Sequence, residues 1–238
     1  MNRQHAKKIA ILISGRGSNM VALIDAASDP AFPAEIVGVI SDNADAAGLR
    51  LAAARGIPTR AVVKKASDTK QAHDAAIGAV LAEFGAEIVC LAGYMRLLTA
   101  EFVEKWQGRM LNIHPALLPS FKGLNTHEQA LEAGARIHGC TVHFVTSKMD
   151  DGPIVAQAAV PVVVGDTADS LSARVLRAEH SLYPIALRLV AEGEARMDGD
   201  KTVFSNIDES EKAAKVILSS PNPLRAEINL EQLARVTP

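Results

Sequence analysis

KIAILIS (Lys8–Ser14) runs directly into GRGSN (Gly15–Asn19), and this junction decides the fold. A short β-branched apolar run closed by glycine reads as a buried strand. Ser18 to Ser28 then carries Met20, Leu23, Ile24 and Ala27 at helical spacing. The same unit recurs outward from there. EIVGVIS (35–41) is a second strand, and 45–55 a helix stopped by Gly56. Residues 59–63 form a third strand, and a helix capped by Ser67 or Asp68 runs to Phe84 and stops at Gly85. EIVCLA (87–92) is a fourth strand, 99–106 a short helix, and 110–113 opens a fifth strand. Strands that are apolar throughout and alternate with helices imply a parallel sheet covered on both faces. The fold class is therefore α/β, with a Rossmann-like, mostly parallel, doubly wound sheet.

The second half changes character. Residues 137–146 and 154–164 show partial alternation around a Met-Asp-Asp-Gly-Pro turn and read as an antiparallel pair continuing the sheet. One long helix spans 168–192, with a kink expected at Pro184. Met197-Asp198-Gly199-Asp200 reads as a hairpin turn between two short strands.

The 238 residues carry 48% hydrophobic and 22% charged side chains and a formal charge of −2, ordinary for a globular chain with a sizeable core and without the basic excess of a nucleic-acid or membrane binder. Ile9 to Ile13 is too short for a membrane span or a secretory core, and Cys90 and Cys140 sit in apolar runs that read as reduced and buried. A cytoplasmic location is expected. The seven histidines lack H-E-x-x-H spacing and the two cysteines lack C-x-x-C spacing, so no metal is expected. His138, His143 and His180 read as packing or hydrogen-bonding residues.

Three motifs carry chemistry. Gly15-Arg16-Gly17-Ser18-Asn19 closes a strand and opens a helix, where free N–H groups and the helix dipole favour a phosphate. A dinucleotide fingerprint would want glycine at 20, where Met20 stands, although Asp42 lies where a ribose-binding acid could be. Arg16 could add charge or face solvent. In Asn112-Ile113-His114-Pro115, period-two geometry sends Asn112 and His114 to one face at the carboxyl end of a strand. A carboxamide there can donate to an attacked carbonyl oxygen and an imidazole can move a proton. Ala116 to Gly123 (ALLPSFKG) reads as a wall of the same site. Asp150 or Asp151 of the acidic turn could orient the imidazole, and spacing does not choose between them.

Together ILISGRGSN, LAGYMRLL (91–98), NIHPALLPSFKG (112–123), HGCTVHFV (138–145), the DDGP turn and AEHSLYP (178–184) resemble the folate-dependent glycinamide ribonucleotide formyltransferases, over roughly residues 8–195. The resemblance implies the formyltransferase fold and transfer of the formyl group of 10-formyltetrahydrofolate, as co-substrate, to the ribonucleotide amine in de novo purine (IMP) biosynthesis. It implies Asn112, His114 and Asp150 as the catalytic trio. Direct amine attack would create an oxyanion stabilised by Asn112 and protonated His114, with Asp150 supporting the histidine. It places Gly17, Ser18, Asn19 and Glu179 on the ribonucleotide. Met95, Arg96, Leu97 and Leu98, with Lys70 and Asn112, fall on the folate. Asp151 departs from the family pattern and puts an extra negative charge beside the site.

The expected organisation is a formyltransferase domain over 1–195, with a nucleotide-binding half to about 110 and a catalytic and folate half from about 111, then an extension over 196–238. The expected partners are the two small-molecule substrates, with no nucleic acid or membrane, in a monomer or homodimer. The alternatives are a formyltetrahydrofolate deformylase, with water as acceptor, and a non-catalytic nucleotide-binding module. A methionyl-tRNA formyltransferase is disfavoured because 194–238 holds 6 Lys and Arg against 8 Asp and Glu.

Overall fold

The computed structural model describes residues 6–205. Strands β1 (Lys7–Ile13), β2 (Ala34–Ser41), β3 (Thr59–Ala61), β4 (Ile88–Leu91), β5 (Met110–His114), β6 (Ile137–Phe144) and β7 (Ile154–Pro161) form one sheet. Their order is β3-β2-β1-β4-β5-β6-β7. The first five are parallel and β5-β6-β7 antiparallel, as the change in sequence pattern implies. Helices α1 (Ser18–Ala27), α2 (Ala47–Ala53), α3 (Lys70–Glu83), α4 (Ala100–Lys105), α5 (Thr126–Glu132) and α6 (Ala168–Ala191) complete the framework.

The period of two along β1 explains why its apolar run is unbroken. Ile9, Ile11 and Ile13 face a core shared with Met20 and Leu23 of α1 and Leu182 and Leu187 of α6. Ala10 and Leu12 face the opposite core with Ile77 and Leu81 of α3 and Phe102 of α4. All five β1 residues are fully buried, and burying each larger side chain contributes about 1.5–3 kcal/mol. The fully buried Tyr183 of α6 shares its O–H between the Leu91 carbonyl at the end of β4 and the Leu111 carbonyl near the start of β5, at 3.1 and 3.2 Å, and so ties the helix to both strands. Cys90 and Cys140 are free and buried, and burial pushes the Cys90 thiol up to about 12.

Several boundaries differ from expectation. The cap of α3 is Thr69, whose hydroxyl accepts the Ala72 N–H, while Asp68 instead accepts the Lys65 N–H in the preceding turn. β3 stops at Ala61. α6 continues through Pro184 as one helix. α5 was not evident in the sequence: it is seven residues long and starts from Asn125 at φ 56. The expected hairpin is present as β8 (Ala195–Asp198) and β9 (Lys201–Phe204), with Ala195 buried. The remainder of the expected extension, 206–238, lies outside the described residues.

Candidate active site

Strand order reverses between β1 and β4, and the loops leaving β1, β4 and β5 on this side open a crevice at the switch point. A cavity of about 600 Å³ lies here. Asn112 and His114 reach it from β5, Asp150 from the turn after β6, Met95, Leu97 and Leu98 from the loop after β4, and Lys70 from the start of α3.

His114 is buried and held on both sides. Its Nε2 lies 2.9 Å from the Phe121 carbonyl, an acceptor, so Nε2 carries a proton. Its Nδ1 faces Asp150 Oδ2 at 3.5 Å. That oxygen also accepts the Gly123 N–H at 2.9 Å, so one carboxylate connects the imidazole to the end of the 116–123 segment. This segment is itself pinned: Leu118 N–H donates to Thr141 Oγ1, which donates to the Ala116 carbonyl, and Gln157 donates to the Leu118 carbonyl. Asp150 adopts φ 50. At Gly152 a side chain would run into the Phe144 carbonyl oxygen, so glycine lets the turn fold back against β6.

His143 adds a contact that motif reading left among the packing residues. Asn112 and His143 are register partners across β5 and β6. His143 Nδ1 lies 2.8 Å from the Phe144 carbonyl and therefore carries the proton, which leaves Nε2 to accept from Asn112 Nδ2 at 3.2 Å. Burial holds the His143 imidazole below its ordinary value and so neutral. One Asn112 N–H is thus committed and the other is left for the cavity. Only the cross-strand register would have revealed this pair.

Asp151 does not leave a free charge beside the site. It pairs with Lys122, which holds its carboxyl below the usual range. One oxygen of Asp42 is likewise taken up by protein: it accepts from Arg96 Nε at 2.6 Å. Arg96 therefore points to the end of β2, and its side chain is not among those around the cavity.

Gly17, Ser18, Asn19 and Glu179 gather elsewhere, at the β1 end of the crevice. Gly17 caps α1 at φ 74 and ψ 32, and a Cβ there would come within 3.1 Å of Gly48 Cα. The first-turn N–H groups of α1 have no partner within the helix, and no acidic residue stands in that turn. Arg16 is exposed. Asn19 Nδ2 donates to Glu179 Oε2 at 2.6 Å, both residues are buried, and Asn19 Oδ1 has no partner among the described residues. Burial raises the Glu179 carboxyl above its ordinary value, partly offset by the Asn19 bond. β1 and β5 are two strand spacings apart in the sheet, about 10 Å.

Among the described residues no helix is long and apolar enough to cross a membrane, and no group of three or more His, Cys, Asp or Glu side chains is placed to hold a metal.

A family model described as formyl transferase matches residues 7–187. The trifunctional purine biosynthetic protein adenosine-3 of Bos taurus is 55% identical over 190 residues, which are 80% of this chain and 19% of that protein. The chain therefore spans about a fifth of the length of this relative. The phosphoribosylglycinamide formyltransferase of Escherichia coli K12 is 44% identical over 79% of this chain and 89% of that one. A solved glycinamide ribonucleotide transformylase 1 from Symbiobacterium toebii matches with a TM-score of 0.81 and 45% identity, over 84% of this chain and 95% of that one. A formyltetrahydrofolate deformylase from Pseudomonas syringae pv. tomato shares the fold at a TM-score of 0.78 but only 25% identity, over 86% of this chain and 67% of that one.

Proposed function

The chain belongs to the formyl transferase family and, within it, to the phosphoribosylglycinamide formyltransferases, and from this premise we propose that it moves the formyl group of 10-formyltetrahydrofolate to the amine of N1-(5-phospho-D-ribosyl)glycinamide. The observation that carries the reading is the placement of Asn112, His114 and Asp150 on one cavity, with a phosphate-type helix start after β1, two strands along the same sheet. The cavity suits the donor: its volume is in the range for small-molecule sites, and Met95, Leu97, Leu98 and Val103 offer apolar surface beside the polar Asn112 and Thr146.

The donor supplies an electrophilic formyl carbon bonded to a nitrogen leaving group. The chain supplies the environment. Asn112 aims its uncommitted N–H at the formyl oxygen and holds it there because His143 fixes the other N–H. A donor aimed where charge develops is worth about 2.7–4 kcal/mol. His114, when protonated, places a positive charge beside the same oxygen, and Asp150 balances that charge across the 3.5 Å contact. The attacking amine must lose a proton and the leaving nitrogen must gain one. Asp150 and His114 are the titratable pair placed to pass it, directly or through one water.

At the acceptor end, the N–H groups of Ser18 and Asn19 and the dipole of α1 receive the phosphate. Glu179 and Asn19 hold unspent acceptor capacity that ribose hydroxyls satisfy. A deformylase, with water as acceptor, would have no use for this second cluster.

Product identity tests the reading. With donor labelled at the formyl carbon, the label should appear on the ribonucleotide as an N-formyl amide seen by carbon NMR. Label found only in formate would mean that water is the acceptor.

A further inference from the structure

The loop from Gly93 to Thr99 forms one wall of the cavity, and its position is not set by its own backbone. At its entry the Ser14 N–H donates to the Gly93 carbonyl at 3.1 Å and the Met95 N–H donates to Ser14 Oγ at 2.9 Å. At its exit the Thr99 N–H donates to the buried Asp74 at 2.7 Å and Thr99 caps α4. Between these points the backbone N–H groups of Arg96, Leu97 and Leu98 donate to no protein acceptor among the described residues. Leu98 packs against the core at the end of this stretch, and among the described residues the one hydrogen bond that ties the stretch to the rest of the protein is that from Arg96 to Asp42.

That bond joins the loop to the carboxyl end of β2, 54 residues away in the chain. The two partners differ. The Asp42 side chain is 9% exposed and its second oxygen has no partner among the described residues, whereas the Arg96 side chain is 42% exposed. The carboxylate is thus a fixed post in the framework and the guanidinium an arm reaching to it from the loop. Met95 and Leu97 stand 69% and 62% exposed at the cavity mouth. Packing alone therefore does not fix them, and the free backbone edge of 96–98 has its register set by this arm.

We propose that Asp42 is a positioning residue for the folate donor, acting through Arg96 to set the backbone strip 95–98 that the donor meets. The inference rests on the proposed formyl transfer and deepens it. Asp42 touches neither substrate, and its effect falls on donor binding and not on the chemical step.

The test uses the full chain with Asp42→Ala, Asp42→Asn and Arg96→Ala. It reads kcat, the KM of each substrate, the Kd for tetrahydrofolate by calorimetry, and the thermal midpoint. Charge-assisted hydrogen bonds of this kind lead us to expect donor KM and tetrahydrofolate Kd to rise about tenfold in Asp42→Ala, with kcat and acceptor KM within about twofold. Asp42→Asn keeps an oxygen for Arg96 and should recover part of the loss. Arg96→Ala strands a buried carboxylate and should lower the midpoint more than Asp42→Ala, which only releases an arm into water. Unchanged donor KM and Kd in a folded Asp42→Ala protein would overturn the inference, as would a parallel rise in acceptor KM. Wild-type protein that bound no tetrahydrofolate would overturn the functional reading itself, and the inference with it.

Discussion

At the β5 end of the crevice the polar side chains are largely satisfied by protein: His114 lies between Phe121 and Asp150, and His143 between Phe144 and Asn112. At the β1 end the buried Glu179 and Asn19 bond to each other, and among the described residues Asn19 Oδ1 has no partner. The difference matches two tasks. Groups that stabilise developing charge work best when their geometry is set before substrate arrives. Groups that recognise a substrate gain selectivity when only the right ligand supplies their missing partners, because a ligand without those donors leaves them buried and unpaired.

The largest effect expected from breaking this contrast is at the β5 end. Asn112→Ala or His114→Ala should lower kcat by about 10²–10³, with little change in either KM. Steady-state rates over both substrates check this, and full turnover in both variants would remove the assigned roles.

Next comes the β1 end. Gly17→Val forces a β-branched side chain into left-handed backbone against Gly48, a strain of ~1–3 kcal/mol. Acceptor KM should rise about tenfold while donor KM holds, and equal rises in both would contradict the division of the crevice.

The smallest effect is on stability. The folded Glu179 carboxyl is raised above its ordinary 4.5. As pH climbs through that value the unfolded chain ionises freely while the folded carboxyl resists, so stability is lost with rising pH until the folded group ionises too. Glu179→Gln removes that loss and keeps an acceptor for Asn19. Thermal melts should show a higher midpoint than wild type at pH 7 and convergence as pH falls below about 4.5. Acceptor KM should rise in the same variant, the usual exchange of function for stability.

Much of the framework was legible in the sequence because β1, β2 and β4 are short apolar runs, and Asn112 and His114 share a face through simple alternation. What escaped depends on distant pairing. His143 meets Asn112 only through the β5–β6 register, and Arg96 meets Asp42 only because β2 and the loop after β4 end on the same edge. α5 escaped because its seven residues carry almost no periodic signal. The Thr69 cap was missed because Ser67, Asp68 and Thr69 are all competent caps in a row.

The most direct measurement follows the folate absorbance change of the purified chain with 10-formyltetrahydrofolate, with and without N1-(5-phospho-D-ribosyl)glycinamide. Turnover that requires the ribonucleotide is the predicted result. Equal turnover without it would make water the acceptor and contradict the account.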